Sequence, residues 1–220
     1  MNKKRSEEIV NILKTIITNP KPELDFKNNF ELLCAVSLSA QTTDKRVNEV
    51  TPILFQKYPN AKSLSNALID DVIDIIHSLG FSKNKATNLI SMSKSLVEKF
   101  DGKVPSNFKD LESLDGVGHK TASVVLALGF NIPALPIDTH LLRMSKRLGY
   151  VKSSAGVKEA EEALKKYVPK EEWILAHHLF LLFGRYYCKA ISPLCEGCKL
   201  KEYCKEKGKH WYISMLFVLH

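Results

Sequence analysis

The chain has 220 residues, of which 45% are hydrophobic and 25% are charged, and its formal net charge is +8. This composition excludes a basic disordered tail and predicts a folded protein with one sizeable core or two small ones. No run of about 18 apolar residues is present to span a membrane, and Glu7, Glu8 and Asn11 interrupt what would be the apolar part of a signal peptide. We therefore expect a cytoplasmic, nucleoid-associated protein whose positive charge serves a polyanionic partner.

Apolar residues recur at helical spacing along the chain, and no stretch alternates as a strand would, so the fold is predicted to be all-α. In chain order, helices are expected at 6–17 and 26–38, followed by one that begins after a cap at Thr42 or Thr43 and another that ends near Phe100. Further helices are expected at 108–114, at 121–128, from 153 or 154 to 167, and at 170–184. Pro20 and Pro22 suit a crossing into a second packing unit. His177 and His178, in the last of these helices, are interpreted as packed side chains and not as metal ligands.

Two polar interruptions carry candidate binding residues. Gln41 lies between two predicted helices, where an ordinary exposed loop residue is the simpler interpretation. Phe81 is flanked by basic residues, which suits a wedge between bases beside a DNA backbone contact. The alternative for Phe81 is a loop side chain folded back on the core.

The turn Gly116-Val117-Gly118 separates two short helical patterns and predicts a helix-hairpin-helix at about 108–128. The amide groups that open the second helix lack intrahelical partners and, together with the helix dipole, can bind a phosphate. The glycines would allow a positive φ or a close approach of the ligand. Standing alone, the same pattern more often indicates an ordinary tight turn between helices.

Lys120 and Asp138 are the candidate catalytic residues. Lys120 falls in the first turn of the second hairpin helix, where the dipole disfavours a cation, so it is either a nucleophilic amine or a phosphate contact. Asp138 precedes an apolar-periodic run and is expected at a helix N-cap, a role that would by itself explain it. An amine and a carboxylate brought together would nevertheless suit attack at a sugar C1′.

Four of the five cysteines, Cys188, Cys195, Cys198 and Cys204, have the spacing C-x6-C-x2-C-x5-C. Disulfides are not expected without a secretory signal. A structural zinc usually takes two short ligand pairs, and here only Cys195 and Cys198 form one. The irregular spacing therefore favours an iron–sulfur cluster over zinc.

The hairpin, Lys120, the sequence Asp138-Thr139-His140 and the cysteine spacing together resemble the endonuclease III family of DNA base-excision glycosylases, over about residues 5–207. The resemblance implies a two-domain fold: a helical-barrel domain at 22–132, and an iron–sulfur domain formed by 1–21 and 133–210. It implies a [4Fe-4S] cluster held by the four cysteines, Lys120 as the Schiff-base nucleophile and Asp138 as the catalytic carboxylate. It also implies contacts to double-stranded DNA at Gln41, Phe81, Gly116, Gly118, His119 and His140.

The predicted function is that of a bifunctional, monomeric DNA glycosylase and abasic-site lyase that removes oxidised pyrimidines and nicks the strand by β-elimination. The alternatives are a related glycosylase for mismatched thymine or for adenine, and a non-catalytic DNA-binding hairpin protein. The chain departs from the family pattern at Asp115, where proline is expected, at His119, where arginine or asparagine is usual, and at Phe81, which is commonly leucine. It also ends in an atypical apolar segment, 211–220.

Overall fold

In the computed structural model of the protein, residues 1–206 are described; the apolar segment 211–220 lies outside them. The described chain is helical and contains no strand, so the predicted all-α class is confirmed. Its helices are α1 (Lys3–Ile16), α2 (Asn29–Leu38), α3 (Asp44–Lys57), α4 (Ala61–Ser65), α5 (Ile69–Ile76), α6 (Ser82–Phe100), α7 (Phe108–Glu112), α8 (His119–Phe130), α9 (Thr139–Arg147), α10 (Val157–Tyr167) and α11 (Trp173–Tyr186).

The chain divides into two compact units: Pro22–Ala134, and Met1–Lys21 together with the described residues from Leu135 onward. None of the helices within residues 1–206 has the length and hydropathy needed to cross a bilayer.

The unit Pro22–Ala134 is built around α2, which packs against α3, α6 and α8. Almost every side chain of α2 is buried, including Leu32 and Leu33. The helix begins at Asn29, three residues later than predicted, because the side chain of Asn28 accepts a hydrogen bond from the Glu31 amide and caps it. Central burial of α2 leaves the loop that follows it, at residues 39–43, on the edge of the unit.

The other unit is built around α11, which packs against α1 and α9. Phe180 is 1% exposed and belongs to a core with Leu13 and Met144. His177 and His178 are buried there, and the His177 Nδ1 lies 2.9 Å from the Pro136 carbonyl oxygen, so both histidines are packed as predicted.

Helix α10 of this unit begins at Val157, and not at the predicted 153 or 154. The Gly156 amide donates to the Glu159 carboxylate at 2.5 Å, which is the reciprocal half of a capping box. Glu159 is exposed to solvent and nevertheless has this capping role. The cap explains why the helix starts where it does.

Candidate active site and cysteine cluster

The hairpin is formed by α7, the turn 113–118 and α8, and its two glycines differ in their surroundings. Gly116 has a φ of +76°, which side chains with a Cβ rarely adopt. A Cβ at Gly116 would also lie 2.9 Å from Nδ2 of Asn88 on α6. Gly116 therefore serves the close packing of the turn on α6.

Gly118 is the N-cap of α8, with extended backbone and no side-chain cap hydrogen bond. A Cβ at Gly118 would meet nothing within 4 Å. The space in front of the α8 N-terminus is therefore open, and the first amide groups of the helix have no capping side chain. This is the geometry that a phosphate oxygen could occupy.

Lys120 is the second residue of α8 and its side chain is exposed. The first turn of α8 contains no acidic residue, so the positive end of the helix dipole and the lysine charge are not offset by a neighbouring carboxylate in that turn. Gly118 and Lys120 thus form one exposed, positively charged helix end.

His119 turns back across the hairpin. Its ring stacks on Phe108 with centroids 5.0 Å apart and an angle of 15° between the planes, and its Nδ1 lies 2.8 Å from Oε1 of Glu112. The imidazole therefore bridges the two hairpin helices. Asp115 is exposed in the turn itself and accepts a hydrogen bond from the Ser91 hydroxyl, so its carboxylate is tied to α6.

Gln41 and Phe81 both have left-handed backbone conformations, with φ of 55° and 60°. Both side chains are exposed, and Phe81 is 65% exposed. The alternative in which Phe81 folds back on the core is therefore wrong. Non-glycine residues held at positive φ are strained, and such strain is concentrated at functional sites.

Asp138 lies in the second unit, at the start of α9, and its Oδ1 accepts a hydrogen bond of 2.7 Å from the Leu141 amide. The predicted N-cap is thus confirmed, and the side chain is half-buried. Nδ1 of His140 lies 3.1 Å from the Arg143 guanidinium, which can only donate, so this contact requires the His140 tautomer with its proton on Nε2. Asp138 and His140 are therefore both oriented by the first turn of α9.

Three of the four cysteines lie between the end of α11 and a short 3₁₀ turn at Lys201–Tyr203, Cys204 directly follows that turn, and all four are half-buried. Burial raises the pKa of the Cys198 thiol, and the nearby thiols of Cys188, Cys195 and Cys204 raise it further. The thiols are therefore close enough to repel one another when ionised. Within residues 1–206, however, no three His, Cys, Asp or Glu side chains converge tightly enough for a single metal ion.

Two arginines of α9, which no sequence motif indicated, hydrogen-bond to the first cysteine. Arg147 is 7% exposed and donates to Sγ of Cys188 at 3.3 Å and to the Lys189 carbonyl at 2.7 Å. Arg143 donates to the Cys188 carbonyl at 3.0 Å. Their i,i+4 spacing, shortly after Asp138-Thr139-His140, predicts that they share one helix face. Their partner Cys188 is more than 40 positions away in sequence, so no local pattern indicates the contact.

Comparison with known proteins identifies the family. Residues 34–170 match the HhH-GPD superfamily of base excision DNA repair proteins. Endonuclease III of Bacillus subtilis (strain 168) is 42% identical over 209 residues, which cover 95% of each chain.

Two solved structures are similar over almost the whole chain. One is a trapped covalent intermediate of endonuclease III with DNA, an estranged-adenine complex, and the other is a non-covalent endonuclease III–DNA complex. Each is 41% identical, has a TM-score of 0.92, and is matched over 95% of this chain and 98% of its own. This chain is therefore a member of the endonuclease III family in the HhH-GPD superfamily, a DNA glycosylase and abasic-site lyase of base excision repair.

Proposed function

We propose that the protein removes oxidised pyrimidines from double-stranded DNA and nicks the resulting site by β-elimination, with Lys120 as the nucleophile. The observation that carries this assignment is the exposed Lys120 amine in the first turn of α8, beside the open N-terminus at Gly118. The N-terminus of α8 can bind a phosphate of the damaged strand, and the Lys120 amine belongs to the same helical turn.

The chemistry follows from a primary amine at a deoxyribose. The Lys120 nitrogen attacks C1′, the bond from C1′ to the base breaks, and the base leaves with its electron pair and gains a proton. The attached nitrogen loses one proton, and its electron pair then forms the C1′=N bond as the bond from C1′ to the ring oxygen O4′ breaks and O4′ takes up a proton. The resulting iminium makes the C2′ proton acidic. Removal of that proton expels the 3′ phosphate, and water then hydrolyses the imine to regenerate Lys120.

Asp138 is proposed to stabilise the positive charge that develops on the sugar and to accept a proton from the attacking amine. Its cap hydrogen bond through Oδ1 to Leu141 holds the carboxylate in one orientation. His140, with its proton on Nε2, has a donor for a DNA phosphate oxygen. Both roles are consistent with a covalent DNA intermediate in the related endonuclease III.

DNA binding is proposed to use the hairpin end at Gly116 and Gly118 for a phosphate, and the exposed side chains of Gln41 and Phe81 for the space left by an extruded base. Flipping a damaged nucleotide costs less than flipping a normal one because the damaged base stacks and pairs poorly. His119 contributes by bridging the hairpin helices through Phe108 and Glu112, and thereby fixes the turn.

The four half-buried thiols are proposed to hold a [4Fe-4S] cluster. Mutual interaction among the thiols, without convergence on a single ion, fits a group larger than one metal ion. When bound, the cluster ties the segment 188–204 together and supplies no step of the base-excision chemistry. Arg147 donates to Cys188 Sγ, as expected for a hydrogen bond to a ligating sulfur.

Borohydride trapping tests this function. Wild-type protein mixed with a thymine-glycol duplex and borohydride should give a covalent protein–DNA complex, and without borohydride the duplex should be nicked. Lys120→Ala should give neither product, whereas Lys83→Ala, which removes an exposed lysine of α6, should still trap. Trapping by Lys120→Ala at the wild-type level would show that another amine is the nucleophile, and an undamaged duplex provides the substrate control.

A further inference from the structure

Lys85 is a buried cation in the first turn of α6. The residue is 8% exposed, and its Nζ donates a hydrogen bond of 2.6 Å to Oγ1 of Thr42. Lysine is rarely buried unless it is paired with an acid; the acid-paired Lys57 of this unit, for comparison, is exposed. The partner of Lys85 is instead a neutral hydroxyl, and burial lowers the pKa of Lys85.

Thr42 lies directly after Gln41, and it donates hydrogen bonds to two backbone carbonyls that precede Gln41. The Thr42 amide donates to the Ser39 carbonyl at 3.1 Å, and the Thr42 hydroxyl donates to the Ala40 carbonyl at 3.4 Å. These contacts span the residue whose φ is 55°. A left-handed conformation is unfavourable for a residue with a Cβ, so Gln41 must be held in place by its neighbours.

Lys85 also contacts the loop that carries Phe81. Its amide donates to the Phe81 carbonyl at 3.0 Å, the first helical hydrogen bond of α6, and Phe81, like Gln41, is exposed and has a left-handed backbone. One residue thus bonds to the Phe81 loop through its main chain and to the Gln41 loop through its side chain. No acid lies in the first turn of α6 to draw the ammonium group away from Thr42.

We propose that Lys85 is a positioning residue which, through Thr42, fixes the separation of the Gln41 and Phe81 loops and so determines the preference for lesion-containing over undamaged DNA. This inference rests on the proposed function, in which both exposed side chains enter the duplex. Opening base steps costs free energy, and loops that are ordered before binding leave more of the interaction energy for that opening. Binding to undamaged DNA through phosphate contacts does not depend on the separation of the two loops.

Four variants test the coupling: Thr42→Val, Lys85→Met, the double variant, and Thr42→Ser, which keeps the hydroxyl. The measurement is the ratio of Kd values for an undamaged duplex and for the same duplex with a tetrahydrofuran abasic-site analogue. Each of the first two variants should lower this ratio roughly tenfold or more, as expected for the loss of one hydrogen bond to a charged group. The double variant should be no worse than the more affected single variant, because both disrupt one interaction. Thr42→Ser should restore the wild-type ratio.

A 2-aminopurine next to the abasic analogue provides a second readout, since its fluorescence rises when the neighbouring bases unstack. The rise on protein binding should be smaller in Thr42→Val and Lys85→Met than in wild type. Lys83→Met, in the same turn of α6 but exposed, is the matched control for loss of charge. It should weaken binding to both duplexes alike and leave their ratio unchanged.

Direct contact of Lys85 with a DNA phosphate is the competing explanation. In that case Lys85→Met would reduce the salt dependence of log Kd by about 0.9, and Thr42→Val would keep the wild-type ratio; either result overturns the proposal. If Lys85→Met fails to fold, the comparison of Thr42→Val with Thr42→Ser decides alone. Wild-type protein with no preference for the abasic duplex would instead contradict the proposed function, so the two failures are distinguishable.

Discussion

At the scale of single residues, Asp138 combines a structural and a chemical role in one carboxylate. Oδ1 caps α9 through the Leu141 amide, and the charge of the group is what the proposed mechanism needs. The two roles can be separated because asparagine caps a helix as well as aspartate does but carries no charge. Substitutions at this position therefore distinguish stability from catalysis.

Asp138→Asn should keep the free energy of unfolding within about 0.5 kcal/mol of wild type, whereas Asp138→Ala should lower it by about 1 kcal/mol through loss of the cap. Both variants should slow formation of the borohydride-trapped complex on the order of a hundredfold, since each removes the charge that stabilises the sugar cation. Urea denaturation and single-turnover trapping provide the two measurements. Wild-type trapping by Asp138→Asn would mean that the carboxylate is only a cap.

At the scale of the helical elements, the α7–α8 hairpin assigns different tasks to two glycines that look alike in the sequence. Gly116→Ala should lower the free energy of unfolding by about 1–3 kcal/mol, because alanine is strained at a φ of +76° and its Cβ would lie 2.9 Å from Asn88. Gly118→Ala should change stability by less than about 0.5 kcal/mol, since its backbone is extended and the added Cβ meets open space. Thermal or urea unfolding measures both.

The order of the two variants should be reversed for DNA affinity, with the larger loss in Gly118→Ala. In Gly118→Ala the methyl group occupies the space proposed for a phosphate, so its affinity for DNA should fall although the protein remains as stable as wild type. Equal loss of stability in both variants would contradict the division of roles. Equal DNA affinity in Gly118→Ala and wild type would show that no DNA phosphate binds at this helix end.

Local sequence rules predicted those features of the helices that depend on neighbours in the chain. The hairpin, the Thr43 and Asp138 caps and the buried α11 follow from apolar spacing and capping preferences. The starts of α2 and α10 were wrong by a few residues, because helical spacing continues past a cap and only the hydrogen bonds reveal which polar residue ends it. Contacts such as Arg147 with Cys188, 41 positions apart, depend on tertiary packing and have no local pattern.

At the scale of the whole molecule, the chain leaves the unit that contains α11 after Lys21 and returns to it at Leu135. The proposed cluster ligands all belong to that unit, whereas the hairpin and Lys120 belong to Pro22–Ala134. The cluster therefore has a specific structural consequence. It should stabilise the segment 188–204 and the α9 arginines that bind it, and it should have little effect on the interior of the other unit.

Cys188→Ala should lower the iron content of the purified protein, because it removes a ligand, whereas Cys34→Ala should retain wild-type iron, since Cys34 is buried in α2 outside the set. In Cys188→Ala, amide hydrogen exchange should accelerate in 188–204 and at the C-terminal end of α9, where Arg143 and Arg147 lose the Cys188 segment as a fixed partner. Exchange in the core of Pro22–Ala134, including α2, should stay close to wild type, because the two units have separate cores. Full iron content in Cys188→Ala would exclude this ligand. Exchange that accelerated equally throughout α2 would instead show that the cluster stabilises the entire chain as one cooperative unit.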